Sequence, residues 1–174
     1  MKVWLKLGII TGLIAAFPLA SAAKAVPAPA VSAKDDAAIR AVIEAFRIGI
    51  IARDKVALNR LPVSPGITFI ASIDPETLTR VRTRRADAKR LVPGTYPAFV
   101  DDIVSSKTRS EETFNDIEIQ SDGSVATVYF SYKFKEDDVV TNWGHESWGL
   151  VATDDGWKIS SINYSLTFPP PPKR

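Results

Sequence analysis

An α+β domain, with helices first and an antiparallel sheet last, is the fold class this sequence predicts, on three observations. Residues 35–53 carry one apolar stripe at helical spacing: Ile39, Val42, Ile43, Phe46 and Ile50. Residues 113–168 hold four runs rich in β-branched and aromatic residues. Between those runs stand the tight-reversal signals Asp122-Gly123 and Asp154-Asp155-Gly156. Helices followed by an antiparallel meander is the α+β order.

Each element has local grounds. The first helix, Asp35–Arg53, has Ser32, Asp35 and Asp36 at its start to cap free N–H groups and meet the positive end of the dipole. Gly49 weakens its last turn. Asp54 caps a short second helix, Lys55–Leu61, which Pro62 stops. Pro65-Gly66 is a turn, and Ile67–Ile73 a strand closed by Asp74-Pro75. In the next stretch, Thr79–Arg82 reads as a short strand and Thr83–Leu91 as a short helix ended by Pro93-Gly94. Tyr96–Val104 holds a further helical turn. The meander strands are Thr113–Gln120, Val125–Lys135, Trp143–Thr153 and Trp157–Phe168.

The ends are of another kind. Two lysines in residues 1–6, the apolar run Leu7–Leu19 and the small-residue triplet Ala20-Ser21-Ala22 form the pattern of a secretory signal peptide. The expected organisation is a signal peptide at 1–25, an Ala/Pro linker at 26–34, one domain at 35–168 and a Pro-rich tail at 169–174. A periplasmic or secreted protein follows, with no membrane span after cleavage.

Charge and composition narrow the function. Loss of Lys2, Lys6 and Lys24 takes the formal charge of the whole chain from +2 to −1, so a nucleic-acid partner is not expected. There is no cysteine and one histidine, which removes thiolate chemistry, Cys-ligated zinc and histidine-pair metal sites within one chain. Neither metal nor cofactor is expected.

Two hairpin registers propose which side chains face inward. A two-residue turn at Asp122-Gly123 groups Asn115, Ile117 and Ile119 with Ala126, Val128, Phe130, Tyr132 and Phe134. A loop at 153–156 pairs Leu150 with Ile159 and Glu146 with Asn163, grouping Glu146, Trp148, Leu150, Trp157 and Asn163. An odd-length loop near 136–140 unites the two apolar faces and sets Phe130 beside Glu146. An even loop inverts the set and turns His145 inward instead.

The run Val125–Phe134 is similar to the central strand, and Trp148–Ile159 to the final hairpin, of the nuclear-transport-factor-two-like superfamily. The chain resembles its small exported bacterial branch, the SnoaL-like and lumazine-binding-like domains, over Asp35–Phe168. The resemblance implies a cone: N-terminal helices packed in a strongly bent antiparallel sheet, with homodimers commonly formed through the sheet's outer face. It also implies a pocket in the cone, where buried acids, bases and hydrogen-bond donors do the work of the family's catalysts. The two-histidine site of the family's dehydratases is absent, and the first helix lacks the tyrosine of its steroid isomerases.

The expected pocket is therefore Asn115, Phe130, Tyr132, Glu146, Trp148 and Asn163, suited to a small hydrophobic or heteroaromatic ligand, with a flat ring stacked on Trp148 or Trp157 as one arrangement. Glu146, held among aromatics, is the candidate acid or base, and His145 the fallback. The first functional reading is an exported ligand-binding or homodimeric accessory domain without catalysis; the alternative is a cofactor-free isomerase, dehydratase or cyclase using Glu146. Six cations at Arg80, Arg82, Arg84, Arg85, Lys89 and Arg90 read either as a site for an anion or as a solvated face balanced by the seven acids of residues 101–122.

Overall fold

The computed structural model describes residues 31–171. The expected signal peptide, most of the linker and the last three tail residues lie outside that range. Among the described residues no helix is long and apolar enough to cross a membrane.

Four helices and six strands follow in the order α1 (Ala33–Ala52), α2 (Lys55–Asn59), β1 (Thr68–Ile73), α3 (Pro75–Arg82), β2 (Leu91–Gly94), α4 (Tyr96–Ser105), β3 (Ser110–Ser121), β4 (Val125–Glu136), β5 (Val139–Thr153) and β6 (Gly156–Leu166). The strands form one curled, unclosed sheet in the order β2-β1-β6-β5-β4-β3. All neighbours are antiparallel except β1 and β6, which run parallel.

Capping and packing set α1. The Ser32 side chain accepts from Asp35 N–H, and Arg53 ends the helix in a left-handed conformation. Its stripe Ile39, Ile43, Phe46 and Ile50 is buried against the sheet. Phe46 meets Trp148 edge-on at 5.0 Å and stacks on Phe99 at 5.6 Å. Gly49 has a packing reason: a Cβ there would lie 2.8 Å from Leu58 Cδ2, so its absence lets α2 seat on α1. The Tyr96 hydroxyl donates to the Leu58 carbonyl and fastens α4 to α2.

Residues 75–94 reverse the expectation. Thr79–Arg82 is the end of helix α3, not a strand, and residues 83–90 are turns leading into β2, not a helix. Asp74 decides this. Its carboxylate accepts from the N–H groups of Glu76 and Thr77, and Pro75 stands in the first turn, so Asp74-Pro75 starts a helix as well as closing a strand.

Three β-bulges shape the meander. In β3, Asp116 and Ile117 stand where β4 has only Phe130, and Asp116 is left-handed at φ 55°. In β6, Ser160 is the extra residue, since Gly149 pairs with Ser161 and Leu150 with Ile159. In β5, Thr141 is the extra residue opposite Phe134–Lys135. The β4–β5 turn itself is the two-residue Asp137-Asp138, both left-handed. That turn is even where an odd loop was expected. The Thr141 bulge supplies the missing residue, and Phe130 does stand opposite Glu146.

Candidate functional site

The inner face of the sheet holds two buried acids. Glu146 on β5 is 5% exposed and Glu112 on β3 is 4% exposed. Trp148 Nε1–H donates to Glu146 Oε2 at 2.5 Å, and the two carboxyls hydrogen-bond to each other. Two carboxyls that hydrogen-bond to each other in an apolar site cannot both be ionised, so the pair retains a proton. Burial raises the Glu146 carboxyl to about 7, opposed by its bonds to Trp148 and Glu112. Burial raises Glu112 well above the ordinary carboxyl range, and the neighbouring Glu146 charge reinforces the rise. Glu112 is therefore the protonated partner near neutrality.

The pair opens on a cavity of about 250 Å³ between α4 and the sheet. Five rings form a continuous arc around it: Phe46 to Phe99 at 5.6 Å, Phe99 to Phe69 at 5.3 Å, Phe69 to Tyr164 at 5.5 Å and Tyr164 to Tyr132 at 6.2 Å. Phe99, Asp102, Ile103 and Ser106 come from α4, whose start is fixed by the Thr95 side chain capping Ala98 N–H. Asp102 and Glu136 add carboxylates to the lining, and Ser110 and Asn142 add neutral polar groups. Tyr132 spends its hydroxyl on the Ser165 carbonyl at 3.0 Å. That carbonyl comes close because residue 144 is glycine: a Cβ there would sit 2.2 Å from Ser165 O. Burial pushes the Tyr164 hydroxyl up to about 12, so it stays protonated and able to donate.

Of the six expected pocket residues, the structure brings Tyr132 and Glu146 to the cavity. Phe130 and Trp148 are fully buried behind it. Trp148 packs edge-on against Phe46 and Phe130 and does not line the cavity, and Trp157 lies in the core with its Nε1–H on Asp35. A ligand stacked on either tryptophan is thereby corrected; the aromatic walls are Phe and Tyr.

Asn115 and Asn163 are corrections too. Both are exposed on the outer side, Asn115 opposite Ser131 and Asn163 opposite Ser147. The bulge at Asp116-Ile117 turns Asn115 out and brings Phe114 and Glu112 in. The bulge at Ser160 turns Asn163 out and brings Ile162 and Tyr164 in.

Regular alternation thus hid Glu112 and Tyr164, yet the sequence carries a signal for both. Phe114 and Ile117 are three apart, as are Ile159 and Ile162, and an apolar spacing of three within a strand marks an inserted residue. Asn115-Asp116 strengthens the first, because Asn and Asp tolerate the left-handed conformation.

His145 is exposed on the outer face, stacked on Tyr129 at 5.4 Å and 8°. It shares an open groove there with Asn163 and Ser147.

The basic segment is not balanced by the acids of residues 101–122. Four of the seven go elsewhere: Asp101 to Lys55, Glu111 to Arg47 and Lys135, Glu112 to Glu146, and Asp122 to its own turn, and among the described residues none of the seven makes a salt bridge to the segment. Arg80 donates to the Phe168 carbonyl and Arg82 to the Ala88 carbonyl, so both brace the chain around α3.

Comparison with known proteins places the fold. No family profile matches the chain, and no curated protein matches it in sequence. Solved structures do match in shape. A protein of unknown function from Pseudomonas putida, described as nuclear-transport-factor-two-like, superposes with a TM-score of 0.56 at 13% identity, over 80% of this chain and 92% of its own. A candidate dehydratase of the same fold family from Streptomyces avermitilis superposes at 0.53 and 15%, over 78% and 98%. A candidate aromatic ring hydroxylase from Novosphingobium aromaticivorans superposes at 0.56 and 12%, over 80% and 94%. At such identities the likeness speaks for architecture alone. A curled six-stranded sheet holding a capped amphipathic helix, matched over most of its length by these structures, gives this chain the nuclear-transport-factor-two-like fold.

Proposed function

We propose that this domain binds a small ligand in the α4–sheet cavity and exchanges a proton with it through the Glu112–Glu146 pair. One observation carries the reading: a buried carboxyl pair that holds a proton opens on an aromatic-walled space. The cavity, at about 250 Å³, lies below the roughly 300–1,000 Å³ of pockets that hold drug-sized ligands, so the ligand is small. Glu146 titrates near neutrality, where a group can both take and return a proton. Protonated Glu112 and the Tyr164 hydroxyl are the donors available to charge developing on the ligand. This is the equipment of a cofactor-free isomerase or elimination enzyme, and the leader at residues 1–25 makes it an exported one. The candidate dehydratase and hydroxylase among proteins of similar shape agree with a site that handles small molecules.

The test begins with protein recovered from the periplasm and any retained ligand identified by native mass spectrometry. Incubated in D2O, the wild type should wash deuterium into a carbon-bound position of that ligand. Glu146→Gln should slow the uptake by about 100-fold or more, the usual worth of a positioned acid or base. Equal ligand retention by both proteins with no uptake in either would leave a binding domain and remove the proton transfer.

A further inference from the structure

The ligand's charge can be read from what surrounds the cavity. Four carboxyl groups line it, on four different elements or their ends: Asp102 on α4, Glu112 on β3, Glu136 on β4 and Glu146 on β5. No Lys, Arg or His stands among the lining residues. Two of the four, Glu112 and Glu146, are more than nine-tenths buried, and among the described residues the Glu112 carboxyl has no hydrogen-bond partner but Glu146. The apolar part of the wall is chiefly the five-ring arc from Phe46 to Tyr132.

An anionic ligand would meet carboxyl groups on four elements and no cation to pair with. A neutral apolar ligand would leave the carboxyl pair unaddressed. A cation meets both features: carboxylates attract its charge, and ring faces within about 6 Å add cation–π attraction. A metal ion is a poor occupant, since among the described residues no three acids converge on one point.

We infer that the cavity binds a small organic cation, an aryl- or alkylammonium, seated against the ring arc with its charge on the Glu112–Glu146 pair. The inference rests on the α4–sheet cavity being the ligand site. Charge balance follows: at pH 6, below the value of about 7 to which Glu146 is raised, the arriving cation displaces the Glu146 proton to solvent while Glu112 keeps its own. The groups facing the pair are Trp148 on β5, Tyr132 on β4 and Tyr164 on β6, all neutral, so none competes for the exchange.

Calorimetry at pH 6 and low salt tests this with three probes of one shape: benzylammonium, benzyl alcohol and benzoate. Benzylammonium should bind at least tenfold more tightly than benzyl alcohol, and benzoate should not bind. Its heat should differ between phosphate and MES buffers, both effective at pH 6, by the amount that up to one released proton requires. Glu146→Gln should abolish both the preference and the proton release. Should that variant not fold, Phe99→Leu serves instead, weakening benzylammonium several-fold more than benzyl alcohol.

Benzyl alcohol binding as well as benzylammonium would overturn the cation assignment and leave the cavity as the site. Failure of all three probes would overturn both. Preference retained in Glu146→Gln, or in Phe99→Leu where that variant stands in, would also overturn the assignment, because the cation would then sit away from the pair and the rings.

Discussion

His145 and Glu146 are neighbours in sequence and belong to different worlds. The imidazole lies on the outer face of the sheet, exposed and stacked on Tyr129. The carboxyl points the other way, into a wall of rings, where burial raises it to about 7 and ties it to Trp148 and Glu112. One residue's difference in position thus separates a solvated side chain from a strongly perturbed one. By residue type alone histidine is the natural acid–base group at neutral pH. Here the face of the sheet decides, and it gives that property to a glutamate.

The contrast can be broken from the inside first. Phe46 packs α1 onto the inner face and also ends the ring arc, so Phe46→Ala should cost about 3–5 kcal/mol in chemical denaturation. A cost below about 1 kcal/mol would mean that the inner face is not a packed core.

A smaller effect sharpens the electrostatics. In the unfolded chain both glutamates release protons near pH 4.5, whereas in the fold Glu146 holds its proton to about 7 and burial raises Glu112 as well. Above 4.5 the folded state therefore binds more protons, so stability is greatest at the acid end and falls as pH rises from 4.5 through about 7. Melting temperature should track that fall, and the double substitution Glu112→Gln with Glu146→Gln should flatten it. A wild-type profile already flat over this range would show that the pair is not buried as described.

The smallest change belongs to the outer face. His145→Ala should alter stability by no more than about 0.5 kcal/mol, as for other exposed positions, and leave proton exchange on a bound ligand untouched. Loss of that exchange would move the chemistry to the other side of the sheet.

Much of this was legible in the sequence. The α1 stripe, the caps at Ser32 and Asp54, the four meander strands and the pairing of Leu150 with Ile159 all follow from periodicity and turn chemistry. Asp74-Pro75 was ambiguous because one dipeptide both ends β1 and starts α3. The site was half legible. Glu146 follows from alternation on β5, but Glu112 and Tyr164 lie past bulges, where strict alternation assigns the wrong face. Alternation is a local rule, and one inserted residue reverses everything beyond it. Near Glu146 two departures cancelled, the even Asp137-Asp138 turn and the extra Thr141, so the right face was reached through a loop of the wrong parity.

The extra residue at Asp116-Ile117 bears on how such a domain changes over generations. Substitutions at Glu112 can only exchange one inward side chain for another. Removing a single codon at the bulge would restore regular pairing with β4 and leave Phe114 opposite Tyr132 and Glu112 opposite Phe134, so the inward set of that strand would stay as it is. In a scaffold of this kind a bulge lets a strand gain or lose one residue while the pocket side chains on either side keep their face, so strand length can drift with the site intact.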